Sequence, residues 1–452
     1  MSWAVRVVPN RYVDSVRLMQ VAQTLRSQDG VGACEVLMGT PANLEALASL
    51  GASAEAAPTD IVIAVDGPAT ALDAAERELA SGAAPGDAAP VARPRSLVAA
   101  ARELPGANVA IVSVPGDYAV LEAHRALTAG MHVFLFSDHV SVADELALKR
   151  RGAERGLLVM GPECGTAMLG GVGLGFANEV RAGSVGIVAA AGTGAQEASV
   201  LLDRAGVGVS QIVGVGGRDL SADVGGIMFR QGMELLAADD GTDALLLVSK
   251  PPSPEAVRAL GDVDVGGKRV VAAFVGWGDG DAPFEVHSTL EAGAFAAAQA
   301  EPPDEAADVP HAGGELLGLF SGGSLAYEAE TILGPGRRIL DLGAEEYTQG
   351  RPHPMVDPAL RLAMLRDEGR RAGAVLLDVV LGHGSHPDPA GALAETLADL
   401  AADRPVIAHV CGTPEDPQDA RRQERTLRDA GVTVAPTNAA AARLAAEATA
   451  TS

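Results

Sequence analysis

Aromatic residues make up only 3% of the chain, and Cys34, Cys164 and Cys411 are its only cysteines. With so few rings, the core must be built from Ala, Val, Leu and Gly. The cysteines lie far apart without CxxC spacing, which excludes a zinc knuckle and a disulfide framework. Lysine is nearly absent: Lys149, Lys250 and Lys268 are the whole set, and every other fixed cation is Arg. No apolar run reaches the roughly 18 residues of a membrane span. The start, Met1-Ser2-Trp3-Ala4-Val5-Arg6, lacks the charged, apolar and small-residue regions of a secretory signal. With 34 basic against 59 acidic residues the net charge is −25. Such a field repels nucleic-acid backbones and anionic lipid. The expectation is a cytoplasmic protein with no nucleic-acid and no membrane partner, and no metal site.

What is present is a long, 48% hydrophobic chain of 452 residues, enough for two to four domains at roughly 100–200 residues each. Residues 80–96 and 301–314 are rich in Pro, Gly, Ala and charge without hydrophobic periodicity, and are expected to be linkers. The expected division is a Rossmann-like domain of a CoA-binding type over 1–182, with a linker near 80–96. Two further modules follow over 183–300 and 315–452.

Short β-branched runs alternate with Gly-containing turns and amphipathic stretches. Val109–Val114, Val133–Phe136, Leu157–Met160 and Val185–Val188 are expected strands, each followed by a turn. Ser141 and Asp144 have capping-box spacing. Helices are expected from Gln196 to Ala205 and from Leu325 to Leu333. Such alternation predicts an α/β fold with parallel sheets and sites at the carboxyl ends of the strands. Segments 185–300 and 316–450 repeat four strand-turn units in the same order, as two copies of one flavodoxin-like module would. A pseudo-symmetric pair could set matching turns face to face around one ligand.

Helix N-termini present free amides and the positive end of the helix dipole, and so attract anions. Gly192-Thr193-Gly194 and Gly322-Gly323-Ser324 precede the two expected helices and suit phosphate, although each could be an ordinary tight connection. Arg218, after Gly214-Val215-Gly216-Gly217, and Arg351, in Gly350-Arg351-Pro352-His353-Pro354, could clamp phosphate or carboxylate. Alternatively they pair with acids such as Asp219 or Asp357. Lys250 directly follows the Leu245–Leu247 strand, where a cation could neutralise charge developing in phosphoryl or acyl transfer, or could be a solvated loop lysine. His383 and His386 lie in a Gly-rich loop and are read as loop histidines rather than a nucleophile or metal ligands. Cys164 is read as a buried thiol.

Gly161–Met168, Val185–Leu202 and Val213–Gly226 resemble the α subunit of succinyl-CoA synthetase, and residues 314–452 resemble the ligase domain of its β subunit. The chain as a whole is similar to the FdrA family of acyl-CoA synthetase-like proteins. The motifs that carry this are Met38-Gly39-Thr40-Pro41-Ala42-Asn43, Gly161-Pro162-Glu163-Cys164-Gly165-Thr166, Gly217-Arg218-Asp219-Leu220-Ser221, Ser249-Lys250-Pro251-Pro252 and Gly350-Arg351-Pro352-His353-Pro354.

The departures from succinyl-CoA synthetase are specific. Val275-Gly276-Trp277-Gly278-Asp279-Gly280 stands where that family carries its phosphohistidine, and has none. Ser249-Lys250-Pro251-Pro252 replaces the glutamate-bearing turn, the amino-terminal CoA-phosphate loop is missing, and no ATP-grasp segment is present. The FdrA resemblance implies a subunit of an oxamate carbamoyltransferase of purine catabolism, converting oxalurate and phosphate to oxamate and carbamoyl phosphate alongside other subunits of a hetero-oligomer. The alternatives are an NDP-forming acyl-CoA synthetase subunit and a non-catalytic regulatory subunit. On this reading Lys250, Arg218, Arg351 and His353 are the candidate catalytic residues. Phosphate or carbamoyl phosphate would sit on Gly192, Thr193, Gly194, Gly322, Gly323 and Ser324. Gly165, Thr166, Gln196 and Asp219 would contact an acyl or carbamoyl substrate, with CoA a possible further ligand.

Overall fold

The computed structural model describes residues 3–11, 13, 15–26, 28, 30–81, 94, 96–278, 280–304, 309–348 and 351–450. The chain forms two compact units, Met1–Ala92 with Ala344–Asp357, and Arg93–Gly343 with Pro358–Ser452.

The first unit corrects the Rossmann-like reading of the amino-terminal region. Its strands β1 (Trp3–Val8), β2 (Ala33–Met38) and β3 (Ile61–Asp66) form an antiparallel sheet in the order β1-β3-β2. Helices α1 (Ser15–Arg26), α2 (Pro41–Ser49) and α3 (Thr70–Ser81) complete it. Ile61, Ile63 and Val65 of β3 pack with Leu18, Val21 and Leu25 of α1. Val62 and Ala64, on the other face, pack with Leu47 of α2. A strand covered on both faces loses its alternation, so an antiparallel central strand reads like a parallel one. Most of the expected linker at 80–96 lies outside the described residues, and α3 runs to Ser81.

In the second unit, α4 (Leu97–Glu103) precedes the parallel strands β4 (Val109–Val112), β5 (His132–Leu135) and β6 (Val159–Met160), interleaved with α5 (Gly116–Thr128) and α6 (Val142–Glu154). Ser141 caps α6 by accepting the Asp144 amide at 3.1 Å, as its spacing predicts. The hairpin β7 (Thr166–Leu169) and β8 (Val172–Gly175) then leaves this layer. Met168 pairs antiparallel with Ile212 in the sheet of the next module, so the expected boundary near 182 does not hold there.

That module contains β9 (Ala182–Ala189), α7 (Gly192–Arg204), β10 (Val209–Gly214), α8 (Ile227–Ala238), β11 (Ala244–Ser249), α9 (Pro254–Leu260), β12 (Arg269–Phe274), β13 (Glu285–His287) and α10 (Leu290–Ala298). Its sheet order is β13-β12-β11-β9-β10, extended by β7 and β8. The last module begins with β14 (Leu316–Phe320), α11 (Gly323–Leu333) and β15 (Arg338–Asp341). The chain then supplies α12 (Glu345–Thr348) to the first unit and resumes with α13 (Ala359–Met364), β16 (Ala374–Val380), α14 (Pro389–Ala401), β17 (Val406–Cys411), α15 (Ala420–Asp429), β18 (Thr433–Ala435) and α16 (Asn438–Ala448). Its order is β15-β14-β16-β17-β18. Numbered within each module, both sheets run 2-1-3-4-5, the flavodoxin-like order, so the duplication in the sequence is a duplication in space. β11 and β16 are buried almost throughout because helices cover both faces, which accounts for their unbroken apolar runs.

Candidate functional site

Both glycine turns are the first turns of helices rather than loops before them. α7 starts at Gly192 and α11 at Gly323. The residues before them, Ala191 and Gly322, are extended, and neither has a side chain that caps its own helix. The sequence pattern predicts a later start for α7, at Gln196, because glycine is a poor helix former.

The two helix starts meet. The Ser324 amide donates to Thr193 Oγ1 at 3.1 Å. A Cβ on Gly194 would lie 3.4 Å from that of Ser324 and 3.1 Å from Val248 Cγ1; one on Gly322 would lie 3.1 Å from Thr193 Cβ. Glycine at 194 and 322 therefore allows an approach that a side chain would obstruct. A Cβ on Gly192 would lie 3.6 Å from Thr166 Oγ1 and 4.0 Å from Gly165, so the strand-end turn before β7 borders the same place. Lys250 directly follows β11, which pairs with β9, and its Nζ lies 5.4 Å from the centre of the Tyr327 ring on α11. Gly165, Thr166, Gly192–Gly194, Gly322–Ser324 and Lys250 thus share one region, at the carboxyl ends of β9, β11 and β14.

The two helix starts differ in charge. Asp378 of β16 accepts the Ser321 amide at 2.8 Å, the Ser321 hydroxyl at 2.9 Å and the Gly322 amide at 2.7 Å, and pairs with Arg361 at 2.7 Å. A Cβ on Gly323 would come within 2.4 Å of Asp341 Oδ2. Carboxylates of the protein itself therefore surround the start of α11. This corrects Gly322 as a phosphate ligand, because its amide is already used. The start of α7 has no such acid against it among the described residues.

Other expected site residues have structural roles. Arg218 pairs with buried Glu145 at 2.9 Å and donates to the Val140 carbonyl at 2.8 Å; it is a paired arginine, with Glu145 rather than Asp219 as its partner. Asp219, fully buried, accepts the Phe229 amide at 2.9 Å at the start of α8 and pairs with Lys149 at 2.7 Å. It does not face a substrate. Gln196 donates to Asn178 Oδ1 at 2.9 Å and to the Leu381 carbonyl at 3.3 Å, tying the two modules together. Arg351 and His353 belong to the first unit, and Lys250 to the second. His353 Nδ1 accepts the Met355 amide at 3.2 Å in a local turn. Cys164 is buried, and burial pushes its thiol up to about 12. His383 pairs with Glu179 at 2.6 Å, both half-exposed, beside a cleft of about 720 Å³. His386 accepts the Asp388 amide at 2.9 Å.

Sequence reasoning missed the buried ionisable residues between the modules. Glu197 of α7 meets His409 Nε2 of β17 at 2.8 Å. Burial alone would raise the Glu197 carboxyl, but the facing His409, with Arg204 and the Asn438 amide, holds the group below the usual carboxylate range. Glu328 of α11 accepts the Leu290 amide at 2.6 Å and Asn438 Nδ2 at 2.7 Å, and burial pushes its carboxyl up to about 7. The visible signal was Gln196-Glu197-Ala198 and Tyr327-Glu328-Ala329 at one offset from each glycine turn.

The CoA-ligase family matches residues 319–448, and the family described as AllF, heavy metal-associated domain, matches residues 1–91. Residues 1–91 contain no histidine and a single cysteine, Cys34. That cysteine is buried, and burial pushes its thiol up to about 12. No group of three or more His, Cys, Asp or Glu able to hold a metal occurs among the described residues. The residues present therefore do not fit a heavy-metal site. No helix among the described residues is long and apolar enough to cross a membrane.

The dinucleotide-forming acetyl-coenzyme A synthetase 1 of Ca. Korarchaeum cryptofilum is 16% identical over 75% of this chain and 82% of that one, with a TM-score of 0.35. The succinate–CoA ligase (ADP-forming) α subunit of Methanothermobacter thermautotrophicus is 28% identical over 37% of this chain and 57% of that subunit, so the chain spans little more than half of it. YahF of Escherichia coli (strain K12) is 34% identical over 99% of this chain and 98% of its own length. The chain belongs to the acyl-CoA-synthetase-like family that includes YahF.

Proposed function

We propose that the chain is a subunit of an acyl-CoA synthetase of the NDP-forming type, and that it binds an acyl phosphate at the start of α7 and passes the acyl group to the thiol of CoA. The observation that carries this reading is the meeting of the two helix starts, with Thr193 and Ser324 in contact. Amides of Gly192, Thr193 and Gly194 would hold the phosphoryl oxygens, and Lys250 would offset the charge that develops in transfer. The thiolate sulfur attacks the carbonyl carbon, the bond from that carbon to the bridging oxygen breaks, and phosphate leaves. Asp341 and Asp378 beside α11 favour a single phosphoryl group, on the α7 side. Because Val275–Gly280 contains no histidine, no phosphohistidine on that loop takes part. A nucleotide site would come from another subunit.

The family relationship favours this thiol acceptor over the carbamoyl transfer expected from the FdrA resemblance. Carbamoyl phosphate is itself an acyl phosphate, and one experiment separates the two. The purified chain is incubated with acetyl, succinyl or carbamoyl phosphate, with CoA or with oxamate, and thioester formation and phosphate release are followed. Thioester formation supports the proposal. Oxamate-dependent consumption of carbamoyl phosphate alone would restore the carbamoyl reading, and acid-labile phosphate on a histidine would overturn transfer without a phosphoryl-enzyme.

A further inference from the structure

Glu197 and Glu328 stand five residues beyond Gly192 and Gly323, and each reaches into the opposite module. Glu197 accepts the Asn438 amide at 3.4 Å, at the start of α16, the last helix of the second module. Glu328 accepts the Leu290 amide at 2.6 Å, at the start of α10, the last helix of the first. Thr437 and Thr289 cap those two helices in matching positions. The arrangement is a pseudo-two-fold pair of cross-module contacts, one behind each glycine turn.

The symmetry fails in charge. The Glu197 carboxylate faces His409 at 2.8 Å. Glu291 of α10 faces Arg443 at 2.8 Å and accepts the Thr437 hydroxyl at 2.5 Å. Among the described residues, the second oxygen of Glu328 meets only the neutral amide of Asn438, at 2.7 Å, in a side chain that is 1% exposed. The ionisable groups that act on it are Glu197 on α7 and Glu291 on α10, whose own partners, His409 on β17 and Arg443 on α16, are engaged with those two glutamates. A buried carboxylate without a cation is costly, whereas the neutral acid is not.

We propose that Glu197 and Glu328 are paired positioning residues that hold the two glycine turns in register, and that the Glu328 contact is closed as the neutral acid and opens as the carboxylate. Burial, reinforced by Glu197 and Glu291 and opposed by the Asn438 and Leu290 donors, puts this change near pH 7. Above it, the unpaired charge draws in water and loosens α11 and α10 from each other. The consequence for anion binding at α7 rests on the function proposed above; the contact itself does not.

Hydrogen–deuterium exchange of the full chain, corrected for intrinsic rates and run from about pH 6 to about pH 8, tests this at the first turns of α10 and α16. Protection in the unmodified chain falls roughly ten-fold per pH unit above the Glu328 midpoint. Glu328→Gln keeps the protection and abolishes its pH dependence, whereas Glu197→Gln lowers protection throughout. A flat profile in the unmodified chain, or an unchanged profile in Glu328→Gln, overturns the proposal. Sulfate, whose charge is constant over this range, reports the site by calorimetry. A matching sulfate profile ties the contact to the anion site. Protection that follows pH while sulfate fails to bind at any pH upholds the contact and removes the anion reading instead.

Discussion

The amide of Ser324 donates to the hydroxyl of Thr193 across 3.1 Å, joining the first turns of two helices whose contacting residues are 131 positions apart. One hydroxyl therefore both packs the modules and stands at the proposed phosphoryl site. Thr193→Val keeps the shape, removes the acceptor and leaves the Ser324 amide without its partner. The expected cost is about 1 kcal/mol of stability, read by urea unfolding, with a several-fold loss of sulfate affinity read by calorimetry. Unchanged sulfate affinity would move the anion site away from α7.

Lys250 rests over the Tyr327 ring, and no carboxylate pairs with it among the described residues. A charge so placed, near the surface, stabilises an anion by about 1 kcal/mol or somewhat more. Lys250→Met is expected to raise the KM for an acyl phosphate about five-fold or more, while Lys250→Arg keeps it near the unmodified value because the guanidinium retains the charge at similar length. Steady-state kinetics across a range of salt checks this, since the Met variant should also lose salt dependence. A fall in kcat with KM unchanged would instead give Lys250 a role confined to the transition state.

The parallel modules were legible because β11 and β16 are covered on both faces, and such strands appear as unbroken apolar runs. The same physics concealed the first unit. β3, Ile61–Asp66, is also covered on both faces, and nothing in its composition records that its neighbours run antiparallel. At the site, the glycine turns were visible, but the commitment of the Gly322 amide to Asp378 was not, because that carboxylate arrives from 56 residues away. Arg218 and Asp219 looked like ligand-binding residues because each lies in a glycine-rich strand end. Their real partners, Glu145 and Lys149, come from α6, which only tertiary packing brings near.

Lys149 lies fully buried, 2.7 Å from both Glu145 and Asp219, and donates to the Val215 carbonyl at 2.9 Å. It fastens the β4–β6 layer to the first flavodoxin-like module. Lys149→Met leaves two buried carboxylates with only Arg218 for compensation, and is expected to destabilise the chain by about 3–5 kcal/mol. Urea unfolding of the variant checks it. A loss under about 1 kcal/mol would mean that water reaches the pair.

Glu197 supplies a pH test whose sign is opposite to that of Glu328. Its carboxyl is held below the ordinary 4.5 in the folded chain by His409, despite burial. A depressed carboxyl stabilises the fold above its unfolded value and loses that contribution as the pH falls through the folded one. Glu197→Gln should therefore destabilise at neutral pH, by about 3 kcal/mol for a buried pair that loses one partner. The gap to the unmodified chain should begin to narrow as the pH drops below about 4.5, where the unfolded chain takes up the proton, and close once the pH is below the depressed value of the folded carboxyl. Urea unfolding of both chains at intervals between neutral pH and the acid limit of reversibility measures the gap. A gap that stays constant across this range would show that the contact with His409 is a neutral hydrogen bond and carries no charge.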